Sequence, residues 1–168
     1  MKYTAIGLSF FLCLNTSFAQ ENEMVKLESY PGEKKVDVFI GGKPFTTFNY
    51  SDSIEKPVLY PIHAANGTTV TRGFPLNTQP GDPTDHPHHL GLWLNFENVN
   101  GLDFWNNSYA IPNERKPSYG WIKTDKLLKI SGGETGILSY HANWTNHQHH
   151  VLLEETTRLE FTGTMHRR

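Results

Sequence analysis

The sequence predicts one all-β domain of antiparallel strands, and three observations carry that expectation. Aromatic residues make up 12% of the chain beside 14 glycines and 10 prolines, a mixture of strand formers and turn formers. Apolar and polar residues alternate at period two in several separate runs, the signature of half-buried strands. No stretch shows a convincing helical period, and no internal repeat or low-complexity linker breaks the chain.

Residues 1–19 are set apart as a secretory signal. Lys2 supplies a positive start, residues 5–14 an apolar centre, and Ser17-Phe18-Ala19 a small-x-small cleavage site. That segment is too short to stay as a spanning anchor. A lipoprotein signal at Cys13 is disfavoured, because Leu12 stands where a small residue is wanted. Residues 20–168 then form a single domain, long enough for a real core. The one cysteine leaves with the signal, so the expected location is periplasmic or secreted.

In the first third, residues 24–30 read as a strand, and residues 35–40 alternate Val36, Val38 and Ile40 against polar neighbours. Gly41-Gly42 makes a tight turn, and residues 45–50 return as the second arm of a hairpin. Residues 57–63 form a short strand fenced by prolines, Asn66-Gly67 turns, and the β-branched residues 68–71 start a further strand. Residues 74–87 carry four prolines and a glycine, so they form an irregular loop of the binding-loop type. A β-like run over residues 90–96 follows, then a turn at 98–101.

Three long strands complete the chain, over residues 119–130, 136–144 and 151–161. In the second of them Ile137, Ser139, His141 and Asn143 share one face, and Leu138, Tyr140, Ala142 and Trp144 the other. The final strand runs to Met165 and stops at His166-Arg167-Arg168 with nothing after it to cover its edge. Natural sheets cover such edges. Either a partner, such as a second copy of the chain, lies there, or the chain is a fragment.

Charge narrows the partners. With 15 basic and 17 acidic residues, and with no basic stripe and no second apolar run, neither nucleic acid nor a membrane span is expected. A small polar ligand is.

The chemistry concentrates in residues 72–106. His86, His88 and His89 fall within four positions, with Asp82, Asp85 and Asp103 near them and Trp93 and Trp105 following. In an extended segment His86 and His88 point one way and His89 the other. Two imidazoles at i and i+2 suit acid/base work or a divalent metal ion, and Asp85 is placed to orient one ring. Arg72 and Asp103 are candidates for holding ligand hydroxyls, and Trp93 or Trp105 for stacking. The plainer readings make Asp85–His86 a local cap, Arg72 a surface ion-pair partner and both tryptophans core. Glu97 and Asp103 are a carboxylate pair of low specificity for glycosidic chemistry. His147, His149 and His150 sit at a hairpin tip, where solvated side chains are the rule. Nucleophile-elbow, Walker and dinucleotide motifs do not occur.

The order of these residues carries a family resemblance. Lys56-Pro57-Val58-Leu59-Tyr60-Pro61, Thr71-Arg72-Gly73-Phe74-Pro75, Asp85-His86-Pro87-His88-His89, Gly91-Leu92-Trp93 and Asn100-Gly101-Leu102-Asp103-Phe104-Trp105 closely resemble the opening half of the secreted PmoA-like family. The resemblance continues more weakly from Trp144 to about Arg168. It implies a large antiparallel β-sandwich of the supersandwich or jelly-roll kind, and a domain incomplete at its C-terminal end here. It also implies a neighbourhood of bacterial carbohydrate breakdown. The family's methane-oxygenase label transfers no chemistry, because that enzyme subunit is a multi-helix membrane protein. The expectation is therefore an exported protein that binds or processes a carbohydrate-type ligand. His86, His88 and Asp85 would be catalytic, while Arg72, His89, Trp93, Asp103 and Trp105 bind. The alternatives are a cupin-like metal-dependent oxygenase or isomerase, with metal on His86 and His88, and a non-catalytic sugar-binding module. The cupin order is echoed by Gly81, His86, His88 and Glu97, although Leu92 and Trp93 occupy the place where its glutamate belongs.

Overall fold

The structure is a computed structural model and describes residues 22–164. The expected signal segment and the last four residues lie outside that range. Eight strands run in chain order: β1 (Asn22–Glu23), β2 (Val25–Tyr30), β3 (Lys35–Ile40), β4 (Lys43–Asn49), β5 (Val58–Ile62), β6 (Trp121–Ser131), β7 (Thr135–Thr145) and β8 (Val151–Thr164). They build two antiparallel sheets, β2-β3-β4-β5 and β1-β8-β7-β6, with two short 3-10 turns as the only helical pieces among the described residues. The fold is all-β, as the alternation requires, and it does not close into a barrel. No helix among the described residues is long and apolar enough to cross a membrane.

The period-two pattern explains how the sheets face each other. In β7, Leu138, Tyr140, Ala142 and Trp144 are buried while the intervening residues are half-exposed. They meet Val36 and Val38 from β3, Phe48 from β4 and Leu59 from β5. Phe48 packs on Tyr140 at 4.8 Å between ring centroids, and Phe45 meets Phe161 edge-on at 6.3 Å. Burying a side chain of this size contributes roughly 1.5–3 kcal/mol, so this shared layer is what joins the sheets. Trp144 also donates its indole N–H to Glu155 at 2.7 Å, which satisfies the buried polar atom.

Two expected strands are absent, for one physical reason. Residues 68–71 touch the sheet only through the bridge His63–Thr69, and residues 90–96 only through Leu59–Leu92. In each case a polar side chain takes over backbone bonding that a ladder would otherwise use. Thr71 Oγ1 accepts the N–H of Ile62 at 3.2 Å. Asn95 accepts the N–H of Phe96 at 2.7 Å and donates to the Phe104 carbonyl at 2.7 Å. Gly91 adds a kink at φ 128°, where a Cβ would lie 2.6 Å from the Leu59 carbonyl. The chain from His63 to Gly120 therefore lies as one long loop against the end of the sandwich. Phe104 plugs it in, buried and 4.8 Å from Trp144.

The plug sets a test. A Cβ on Gly120 would run into the Phe104 ring, so Gly120→Ala should cost about 1–3 kcal/mol in urea unfolding. Leu138→Ala, which empties the centre of the layer, should cost about 2–5 kcal/mol.

Candidate functional site

The loop reaches the site under local control. Asp82 Oδ2 accepts the N–H groups of Phe74 at 3.1 Å and Gln79 at 2.7 Å. Gly73 is required beside it, since a Cβ there would lie 2.5 Å from that same oxygen. The chain then turns rather than extends. His86 adopts φ 50°, and the His89 N–H donates to the His86 carbonyl at 3.0 Å. A positive φ is uncommon for a residue with a Cβ, and Arg72 secures it. Its guanidinium donates to Asp85 Oδ1 at 3.0 Å, to the Asp85 carbonyl at 2.6 Å and to the His86 carbonyl at 2.7 Å.

This turn overturns the expectation that His89 faces away from the other two imidazoles. The period of two holds only for extended backbone. Here all three rings converge: His86–His88 at 5.6 Å, His86–His89 at 5.0 Å and His88–His89 at 4.4 Å between centroids. His86 and His89 lie face to face, 13° from parallel. Among the described residues no group of three or more His, Cys, Asp or Glu side chains is set to hold a metal ion.

Asp85 gives the cluster its polarity. Its second oxygen lies 2.6 Å from His86 Nδ1, a contact that in the neutral ring places the proton on Nδ1 and leaves Nε2 as the acceptor. The His86 contact first, and Arg72 second, hold the Asp85 carboxyl below the usual carboxylate range. His88 is pushed down to about 4, by burial first and then by His89, Lys56 and His86. His89 is lowered too, mainly by burial. Near neutral pH, His88 and His89 are therefore uncharged imidazoles.

The aromatic wall continues from the histidines. His89 lies 5.8 Å from Trp93, and Trp93 lies 5.6 Å from Trp105 at 53° between planes. Trp105 is 39% exposed, whereas Trp93 is half-buried and its indole N–H has no partner. Asp103 shapes the turn that carries Trp105: it accepts the Asn106 N–H at 2.9 Å and its side-chain amide at 2.8 Å. Trp93 also lines an apolar cavity of about 210 Å³ between the sheets, with Phe48, Leu59, Leu92 and Tyr140; no imidazole lines it. His86 is exposed, while His88 and His89 are partly buried. Glu97 is exposed apart from them. The second histidine cluster stays at its hairpin tip, where Asn146 Oδ1 accepts the N–H groups of Gln148 and His150, both at 2.9 Å.

Sequence reasoning about side-chain chemistry missed Lys56. It is 1% exposed, donates to the Trp105 carbonyl at 2.6 Å and lies 5.2 Å from the Trp93 ring centroid. Burial pushes its ammonium down to about 8. The one signal in the sequence was its place at the head of the Lys56-Pro57-Val58 motif.

Two measurements follow from this geometry. Arg72→Ala should raise hydrogen exchange at the His89 amide about tenfold or more while leaving β7 amides unchanged. His88 should titrate by NMR near 4. Its folded value lies below the unfolded 6.5, so its contribution is whole above that pH and is lost as acid charges the unfolded ring. His88→Gln should flatten the stability slope between those two values.

Comparison with curated proteins and with solved structures finds no match. Residues 35–168 match the profile of a family of unknown function, DUF6807. That span takes in six of the eight strands, β3 to β8, together with the whole His–Trp loop, and the chain belongs to this family.

Proposed function

We propose that the protein binds a carbohydrate-type ligand at the wall formed by the histidine turn, Trp93 and Trp105, and that His86 is its acid/base group. The single observation carrying this reading is the 2.6 Å contact of Asp85 with His86 Nδ1 at one end of a line of rings that runs through His89 and Trp93 to the exposed indole of Trp105. A carboxylate that fixes the tautomer leaves Nε2 ready to take or give a proton. An exposed indole face suits the apolar face of a sugar ring. With its hydrogen bonds committed to the turn, Arg72 is better suited to positioning Asp85 than to holding hydroxyls. The motif order that resembles the secreted PmoA-like proteins supports the same reading, and residues 1–19 support export. The open setting of His86 favours one rival, a sugar-binding module without catalysis.

A panel of neutral and acidic oligosaccharides, read by intrinsic fluorescence and by product analysis, tests both. Trp105→Ala should weaken binding by roughly tenfold, about 1.4 kcal/mol. His86→Ala should abolish turnover while binding persists. A wild-type protein that binds sugars but turns none over makes it a module, and one that binds none sinks the reading.

A further inference from the structure

We propose that Lys56 is a positioning residue of this site, a cationic clamp that holds the faces of Trp93 and Trp105 at the angle a ring-shaped ligand meets. Its relevance to a ligand rests on the sugar reading above; the clamp itself rests on geometry. Lys56 stands just before β5, where Leu59 and Leu92 exchange both backbone hydrogen bonds, at 2.9 and 3.1 Å. That pairing delivers Trp93, the next residue, to the lysine. The ammonium then lies 5.2 Å from the centroid of the Trp93 ring and donates to the carbonyls of Trp105 at 2.6 Å and Phe104 at 3.5 Å. Asn95 donates to the same Phe104 carbonyl at 2.7 Å. One side chain thus grips one tryptophan by its π face and the other by its backbone.

The charge itself is the telling part. Burying an ammonium is costly unless an opposite charge answers it. Lys56 is 1% exposed, and the carboxylates of Glu55 and Asp103 act on it only through space, with no hydrogen bond to either. Two carbonyls alone are served as well by a neutral amide, at lower desolvation cost. What an amide cannot supply is attraction to an indole face, which strengthens when the cation is desolvated. A retained cation at this place fits the task of fixing the Trp93 ring, and through it the 53° angle to Trp105.

Circular dichroism of Lys56→Met and Lys56→Arg tests the clamp, because two indoles 5.6 Å apart give an exciton couplet. Loss of that couplet in Trp105→Phe assigns it to this pair. Lys56→Met should keep the amide spectrum but lose at least about half of the couplet, and Lys56→Arg should restore most of it. A folded Lys56→Met with an undiminished couplet overturns the proposal. If Lys56→Met does not fold, the wild-type protein decides by NMR: the Lys56 methylene protons should be shifted upfield by the Trp93 ring, and random-coil shifts overturn the clamp. Titrating wild type with a β-linked glucose tetrasaccharide and a galacturonate tetrasaccharide keeps the two ideas apart. A lost couplet with neither sugar bound leaves the clamp standing and counts against the sugar reading alone.

Discussion

The guanidinium of Arg72 reaches thirteen residues along the chain to Asp85 and takes hold of one carboxylate oxygen and two successive carbonyls. Everything at the histidine turn depends on that grip. Without it, a loop rich in proline has little to keep His86 in a left-handed conformation that a side chain with a Cβ rarely adopts. With it, the turn is closed, three imidazoles are gathered within 5.6 Å of one another, and Asp85 is aimed at His86 Nδ1. The carboxylate has two oxygens and uses each for a different purpose, one to close the loop and one to set a tautomer. Position and chemistry are therefore controlled by the same group.

A second anchor ties this loop to the sandwich. Lys56 and Asn95 converge on the carbonyl of Phe104, whose ring is sealed between Gly120 and Trp144. The core of the two sheets thus extends into the site through one aromatic side chain. Above it the environment changes from apolar to mixed within a few ångströms, and the buried lysine sits at that boundary. Its field and the loss of solvent both favour uncharged imidazoles at His88 and His89.

Much of this was legible residue by residue. The alternation in β7 named the buried face, Leu138 to Trp144, and Gly41-Gly42 marked the hairpin, because strand pleat and turn dihedrals are local properties. The concentration of His86, His88, His89, Trp93 and Trp105 marked the place on the chain where structure brings the rings together. The same local logic failed at residues 68–71 and 90–96. There Thr71 and Asn95 took over backbone bonding, and β-branched or apolar composition did not become a ladder. It failed again at His89, where alternation was applied to backbone that turns.

By itself the sequence determined the all-β class, most strand bounds and the stretch of chain in which imidazoles and indoles gather, since each depends on neighbours within a few positions. The tertiary structure alone decided which side chains meet: Arg72 with Asp85, Lys56 with Trp93 and Trp105, His86 face to face with His89. Those encounters join residues up to 49 positions apart. They are set by how a long loop packs on a sheet edge, and no period in the chain encodes that.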